Sequence, residues 1–277
     1  METYKNFVGF GVAGNFALHL EQAGESADFK DILTEDPNGP KGMFPFYIPG
    51  REGQLGIYPI SSDTIALPKE ECNVQPEPEV ALICDLDYDS EGNVTAITPK
   101  FFGAYNDCSL RKEGAEKISQ KKNWGASSKG LSSTLIPIDT FDKGGVMDTY
   151  RIASFLRREG MLMRYGEDVE LTGYSFFYGK LMEWMKNQIN SQVDFGPLEP
   201  ISSYLKDAGN PQQAIISIGA TRYTRFGEKN FLQEGDEVIV VVYDNGQYCT
   251  NPILSMANRN AFEAKGISAL VQKVIRA

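Results

Sequence analysis

With 277 residues, 42% of them hydrophobic and 11% aromatic, the chain is long enough to bury a full core as one large domain spanning residues 1–277. A net charge of −10 and a pI near 4.8 argue against nucleic acid or an anionic membrane as partner, since no basic run exceeds Lys121-Lys122 or Arg157-Arg158. The four cysteines lack C-x-x-C spacing, no signal-peptide pattern follows Met1, and the longest aliphatic run, residues 238–242, is too short for a bilayer, so a cytoplasmic protein with reduced thiols is expected.

In chain order, the first readable feature is Gly9-x-Gly11-x-x-Gly14, the spacing that lets a backbone approach a dinucleotide pyrophosphate. Its context fails. The strand before it would be only a few residues long, and the segment after Glu25 holds no second buried strand ending in an acid. The same stretch carries the only histidine, His19, and a lone histidine is more often a satisfied or surface residue than a catalyst. Asn15 is placed to cap a short helix bearing His19, with Glu21, Gln22 and Glu25 following. Residues 36–76 read as a long irregular connection with six prolines before Pro76, and such connections commonly form lids or binding loops.

Beyond residue 76 the chemistry concentrates. Glu77 and Glu79 are two apart, which on an extended strand puts both carboxylates on one face. A Glu-x-Glu pair is most often a solvated face, but here it runs into the apolar residues 80–84, which suit a strand buried on both sides. Two anions so placed repel and are costly to bury unpaired, so a cation between them is expected. Asp107 ends a second predicted strand after the turn-like residues 87–93, and it reaches the same point if the two strands pair. Arg111 and Lys129 are the cations nearest these acids in the motif region.

Farther along, residues 150–156 and 161–165 flank Arg157-Arg158-Glu159-Gly160 as a hairpin. Residues 174–189 give the best helix, with Phe177, Leu181, Trp184, Met185 and Ile189 at helical spacing as a core stripe. Residues 214–218 and 237–243 read as strands. The second is expected to turn at Asp244-Asn245-Gly246 into a hairpin partner, residues 247–250. A C-terminal helix is expected from about residue 261, with Ile267, Leu270, Val271, Val274 and Ile275 on its apolar side.

Together these residues carry a resemblance. Asn15-Phe16-Ala17-Leu18-His19, Glu77-x-Glu79, Asn106-Asp107-x-Ser109-x-Arg111, Lys129, and residues 232–238 with Asn251-Pro252 occur in the order of the fumarylacetoacetate hydrolase family, across roughly residues 7–255. The resemblance implies an α+β fold, a rolled mixed β-sandwich with peripheral helices, in a homodimer. It implies Mg²⁺ (or Mn²⁺, Ca²⁺) on Glu77, Glu79 and Asp107, with His19 as general base and an acid near it, Glu21 or Glu25, orienting the ring. Arg111 and Lys129 would act on substrate rather than on structure, Lys129 also offsetting charge on the developing oxyanion. Two positions depart from the family: Gln22 stands where members often have glutamate, and Gly219-Ala220 replaces Gly-Thr, leaving Thr221 as the substrate-side substitute. The activity implied is metal-dependent hydrolysis of a C–C bond in a small 2-oxo or β-diketo acid through a metal-stabilised enolate. Decarboxylase, hydratase or isomerase chemistry is the alternative, and a non-catalytic binder of small acids is another.

Overall fold

The computed structural model describes residues 2–32, 34, 36–112 and 114–276. Its spine is one long hairpin, Pro78–Tyr88 against Val94–Asn106, antiparallel from Pro78↔Asn106 to Tyr88↔Val94. Residues 80–84 are apolar on both faces, and all five are buried, so the first strand runs through the interior. The hairpin reverses at residues 89–93, where Asp89 Oδ1 accepts from the Glu91 and Asn93 amides at 2.9 Å each.

Around this hairpin lies an eight-stranded sheet in the order Gly42–Tyr47, Val8–Ala13, Gln213–Ser217, Pro78–Tyr88, Val94–Asn106, Lys129–Leu131, Ile60–Ser61, with Ile136–Pro137 also on Val94–Asn106. Val8–Ala13 runs parallel to Gln213–Ser217, so the sheet is mixed. A five-stranded sheet, Met161–Glu170, Tyr150–Arg158, Glu237–Asp244, Ile267–Arg276 and Thr64–Leu67, packs against it. The strand Glu237–Asp244 shows how alternation builds the layers. Val238, Val240 and Val242 join Val80, Leu82 and Phe102 between the sheets, while Ile239, Val241 and Tyr243 face Ile253 and Ala257 of the helix Thr250–Arg259. Helices are peripheral, and Tyr178–Ser191 buries Leu181, Met185 and Ile189. The fold is thus the α+β rolled mixed β-sandwich implied by the sequence resemblance. Among the described residues, no helix is long and apolar enough to cross a membrane.

Four local expectations are corrected. Residues 36–76 are not one irregular connection, because they contain Gly42–Tyr47, Ile60–Ser61, Thr64–Leu67 and Asn73–Gln75. Pro45 is tolerated in Gly42–Tyr47 because that strand lies at a sheet edge, where an absent N–H breaks no ladder bond. The last segment is the strand Ile267–Arg276, not a helix; β-branched residues at 271, 274 and 275 satisfy either period over so short a run. Residues 244–246 do not close a hairpin. Asp244 instead accepts from the Gly246 amide at 2.9 Å and Gln247 Nε2 at 2.6 Å, and the turn leads into Thr250–Arg259 with Asn251-Pro252 in its first turn. Asn15, finally, does not cap the helix His19–Gln22. Its side chain donates to the Phe176 and Ile218 carbonyls and accepts from the Phe176 amide, tying three segments together.

The glycines of the G-x-G-x-x-G stretch serve packing. Gly9 and Gly11 lie within Val8–Ala13, and a Cβ there would fall 2.1 Å from the Phe46 ring and 2.2 Å from that of Phe44. They make room for aromatic rings of the neighbouring strand.

Candidate functional site

Strand alternation and the Pro78↔Asn106 pairing assemble three acids. Glu77 and Glu79 flank Pro78 and share a face, and Asp107 follows directly after the partner strand. Main-chain bonds lock the junction: Asp107 N donates to Glu77 O at 2.9 Å, and Glu77 N to Asn106 Oδ1 at 3.1 Å. One carboxylate oxygen from each acid lies within 4.8 Å of the others. None of the three side chains faces water, Glu77 being 3%, Glu79 2% and Asp107 0% exposed.

Cations surround them unevenly. Lys122 Nζ sits 2.6 Å from Glu77 Oε2 and 2.6 Å from Asp107 Oδ2. Arg111 donates at 2.7 Å to Glu77, Glu25 and Gln75, and at 3.1 Å to the Tyr223 hydroxyl. Lys129, wholly buried, lies 3.3 Å from Asp107 Oδ1 and donates to the Cys108 carbonyl. Glu79 has no cation within ion-pair distance among the described residues, and only the Gly219 amide reaches it, at 3.0 Å.

These placements set the carboxyl groups apart. Burial alone would raise all three, but the Lys122 and Arg111 charges hold Glu77 well below the usual carboxylate range. Burial and the neighbouring Asp107 charge push Glu79 well above it. Burial also pushes Asp107 up, against the opposing pull of Lys122 and Lys129.

His19, on the short helix His19–Gln22, is 4% exposed, and its Nδ1 lies 3.0 Å from the Thr221 carbonyl. A carbonyl only accepts, so Nδ1 carries the proton and Nε2 presents a lone pair. Burial lowers the imidazole below its ordinary 6.5, which keeps it neutral. Lys122 and His19, with Glu25, Glu77 and Glu79, line a cavity of about 20 Å³, room for one water-sized body. A wider groove of about 900 Å³ between residues 31–41 and the helix Tyr178–Ser191 contains none of these acids.

The structure therefore brings together His19, Glu77, Glu79, Asp107, Arg111 and Lys129, but it does not bring Glu21, which is exposed. The ring is oriented by the Thr221 main chain instead. Glu25 is buried nearby but committed to Arg111 and Lys121 at 2.7 and 2.9 Å. The Thr221 hydroxyl donates to the Pro78 carbonyl at 3.3 Å, and the side chain is buried. Gln22, where family members often have glutamate, clamps the Tyr223 main chain on both sides. Lys129 and Arg111 are bonded to protein groups, Lys129 to the Cys108 carbonyl and Arg111 to Gln75, Glu25, Glu77 and Tyr223. Lys122 was missed. It reads as half of a surface basic pair, yet on the four-residue helix Ser119–Lys122 the two lysines diverge, Lys121 to Glu25 and Asp28, Lys122 to Glu77 and Asp107.

Does this set fit a divalent ion? The donors are all carboxylate oxygens, the chemistry a hard cation takes. Both Asp107 oxygens, though in ion contact with lysines, accept no hydrogen bond of good geometry, and Glu79 has no counter-charge. The residues fit.

The sequence matches the Family of unknown function (DUF5718) over residues 25–274. No curated protein matches it. Solved structures similar to it include Cg1458 with inhibitor, 14% identical over 98% of this chain and 77% of that one, TM-score 0.57. Yeast ynq8, a fumarylacetoacetate hydrolase family protein, is 14% identical over 98% and 94%, TM-score 0.55. A 5-carboxymethyl-2-hydroxymuconate delta-isomerase from Mycobacterium smegmatis is 16% identical over 98% and 79%, TM-score 0.53. At such identities the likeness establishes a shared fold.

Proposed function

We propose, from the premise that this chain belongs to the DUF5718 family and has the fumarylacetoacetate hydrolase fold, that it is a divalent-metal enzyme cleaving a C–C bond in a small 2-oxo or β-diketo acid. The observation that carries this reading is the buried convergence of Glu77, Glu79 and Asp107 beside a neutral histidine of fixed tautomer.

Glu77, Glu79 and Asp107 would hold Mg²⁺, Mn²⁺ or Ca²⁺. When bound, such an ion supplies Lewis acidity, polarising a chelated keto oxygen and stabilising enolate charge. The protein's own groups do the rest. His19 Nε2, with Nδ1 pinned to Thr221, accepts a proton from an attacking water. Lys129 and Arg111 offset charge around the acids, Lys129 from the Asp107 side and Arg111 from the Glu77 side. Isomerisation is the second reading, favoured by the delta-isomerase among the similar structures, because it too needs a positioned base. The fold's members commonly dimerise, and we infer a homodimer here, to be measured by light scattering.

The test is turnover with Mg²⁺ or Mn²⁺ of a panel of acylpyruvates, oxaloacetate and related diketo acids. Binding of an oxalate-like inhibitor without turnover of any compound would make the protein a binder of small acids, and neither binding nor turnover would sink the reading. On calorimetric titration, Glu79→Gln should weaken Mn²⁺ by roughly 10–100-fold or more, a range that even groups supporting metal ligands reach. Unchanged affinity in Glu77→Gln, Glu79→Gln and Asp107→Asn alike removes the site.

The pH profile follows from His19. A base works deprotonated, so kcat/KM should rise with pH through the lowered pKa and be flat above it. Its acid limb then lies below pH 6.5, the ordinary value. A limb centred above 6.5 would assign the base elsewhere.

A further inference from the structure

We propose that Lys122 is the resident cation of the acid cluster and that a divalent ion enters by displacing its ammonium, so that Lys122 sets how tightly the site takes metal. This rests on the metal reading of the three acids. The ammonium bridges two of them, 2.6 Å from Glu77 Oε2 and 2.6 Å from Asp107 Oδ2, with a side chain only 4% exposed. An ion coordinated by the same two carboxylates would lie against that nitrogen, and two cations sharing one pair of anions in a buried site repel strongly. They cannot both stay.

Charge counting points the same way. With every buried acid ionised, Glu25, Glu77, Glu79 and Asp107 face Arg111, Lys121, Lys122 and Lys129, four against four, so an added divalent ion leaves a buried excess of positive charge unless one cation withdraws. Arg111 is fixed by bonds to Gln75, Glu25, Glu77 and Tyr223, and Lys129 by the Cys108 carbonyl. Among the described residues, Lys122 contacts the two acids and lies over the Phe44 ring, 5.1 Å away. It also has somewhere to go, because the small cavity that it lines is walled by Glu25. Its backbone need not follow, since the preceding Lys121 anchors the helix to Glu25 and Asp28.

The experiment titrates Mn²⁺ calorimetrically into the full chain and into Lys122→Met and Lys122→Gln. Both variants should bind about tenfold more tightly or better, the gain from no longer breaking a buried ion pair. In the parent, a crystal structure at saturating Mn²⁺ should show Lys122 Nζ withdrawn from Glu77 Oε2 and Asp107 Oδ2, the two oxygens it contacts without metal. Mn²⁺ binding by the parent with no gain in either variant overturns displacement and leaves the metal site standing. No Mn²⁺ binding by parent or variants overturns both. Should the variants not fold, the Mn²⁺-bound structure of the parent decides: Lys122 Nζ still bridging Glu77 and Asp107 with the ion bound overturns the proposal.

Discussion

Glu77→Gln is expected to destabilise the fold by about 3–5 kcal/mol, the cost typical of removing one partner from a buried ion pair. The amide keeps the shape of the side chain but leaves Arg111 and Lys122, at 2.7 and 2.6 Å, facing a neutral group. Neither cation can turn to water, since the Arg111 side chain is 11% and that of Lys122 4% exposed. Chemical denaturation of parent and variant measures the difference. A loss under about 1 kcal/mol, the range of exposed pairs, would mean that the cluster is solvated and the buried arrangement wrong.

His19→Ala is expected to keep Mn²⁺ affinity while losing hydrolysis of an acylpyruvate by about 10²–10⁴-fold, the usual contribution of a positioned general base. Hydrolysis needs a proton taken from the attacking water, and His19, whose Nε2 keeps its lone pair while Nδ1 is held by Thr221, lines the cavity beside the acids. Decarboxylation needs no attacking water, so activity on oxaloacetate should fall far less. Initial rates on both compounds at saturating Mg²⁺ separate the cases. Full activity of the variant on whichever compound is the substrate would make His19 a bystander.

The acidic cluster was legible where side-chain alternation and strand pairing carry it. Glu77, Glu79 and Asp107 converge because two-residue spacing and one hairpin bring them together, and both are written locally. The cations were less legible. Lys122 and Lys121 are adjacent in sequence and diverge by about 100° on a helix, so no spacing rule links either to its acid. Thr221 was singled out as a substrate-side substitute, and its main-chain carbonyl is what meets His19, a contact that leaves no residue-type signal. The strand Ile267–Arg276 looked helical because burial in a sheet core, not periodicity, decides the state of a short β-branched run.

The parallel pairing of Val8–Ala13 with Gln213–Ser217 bears on the order of assembly. The central hairpin closes over a few residues, whereas Val8↔Ala214 joins segments some two hundred residues apart. Contacts of that separation are slow to form, because the chain must be brought round before any of them is rewarded. The acids can therefore meet early, on the hairpin, but His19 reaches Thr221 only when the segment that follows Gln213–Ser217 is brought beside Val8–Ala13. On refolding, this topology predicts that His19 is placed after the carboxylates converge, so that a partly folded chain holds the acidic cluster without its histidine.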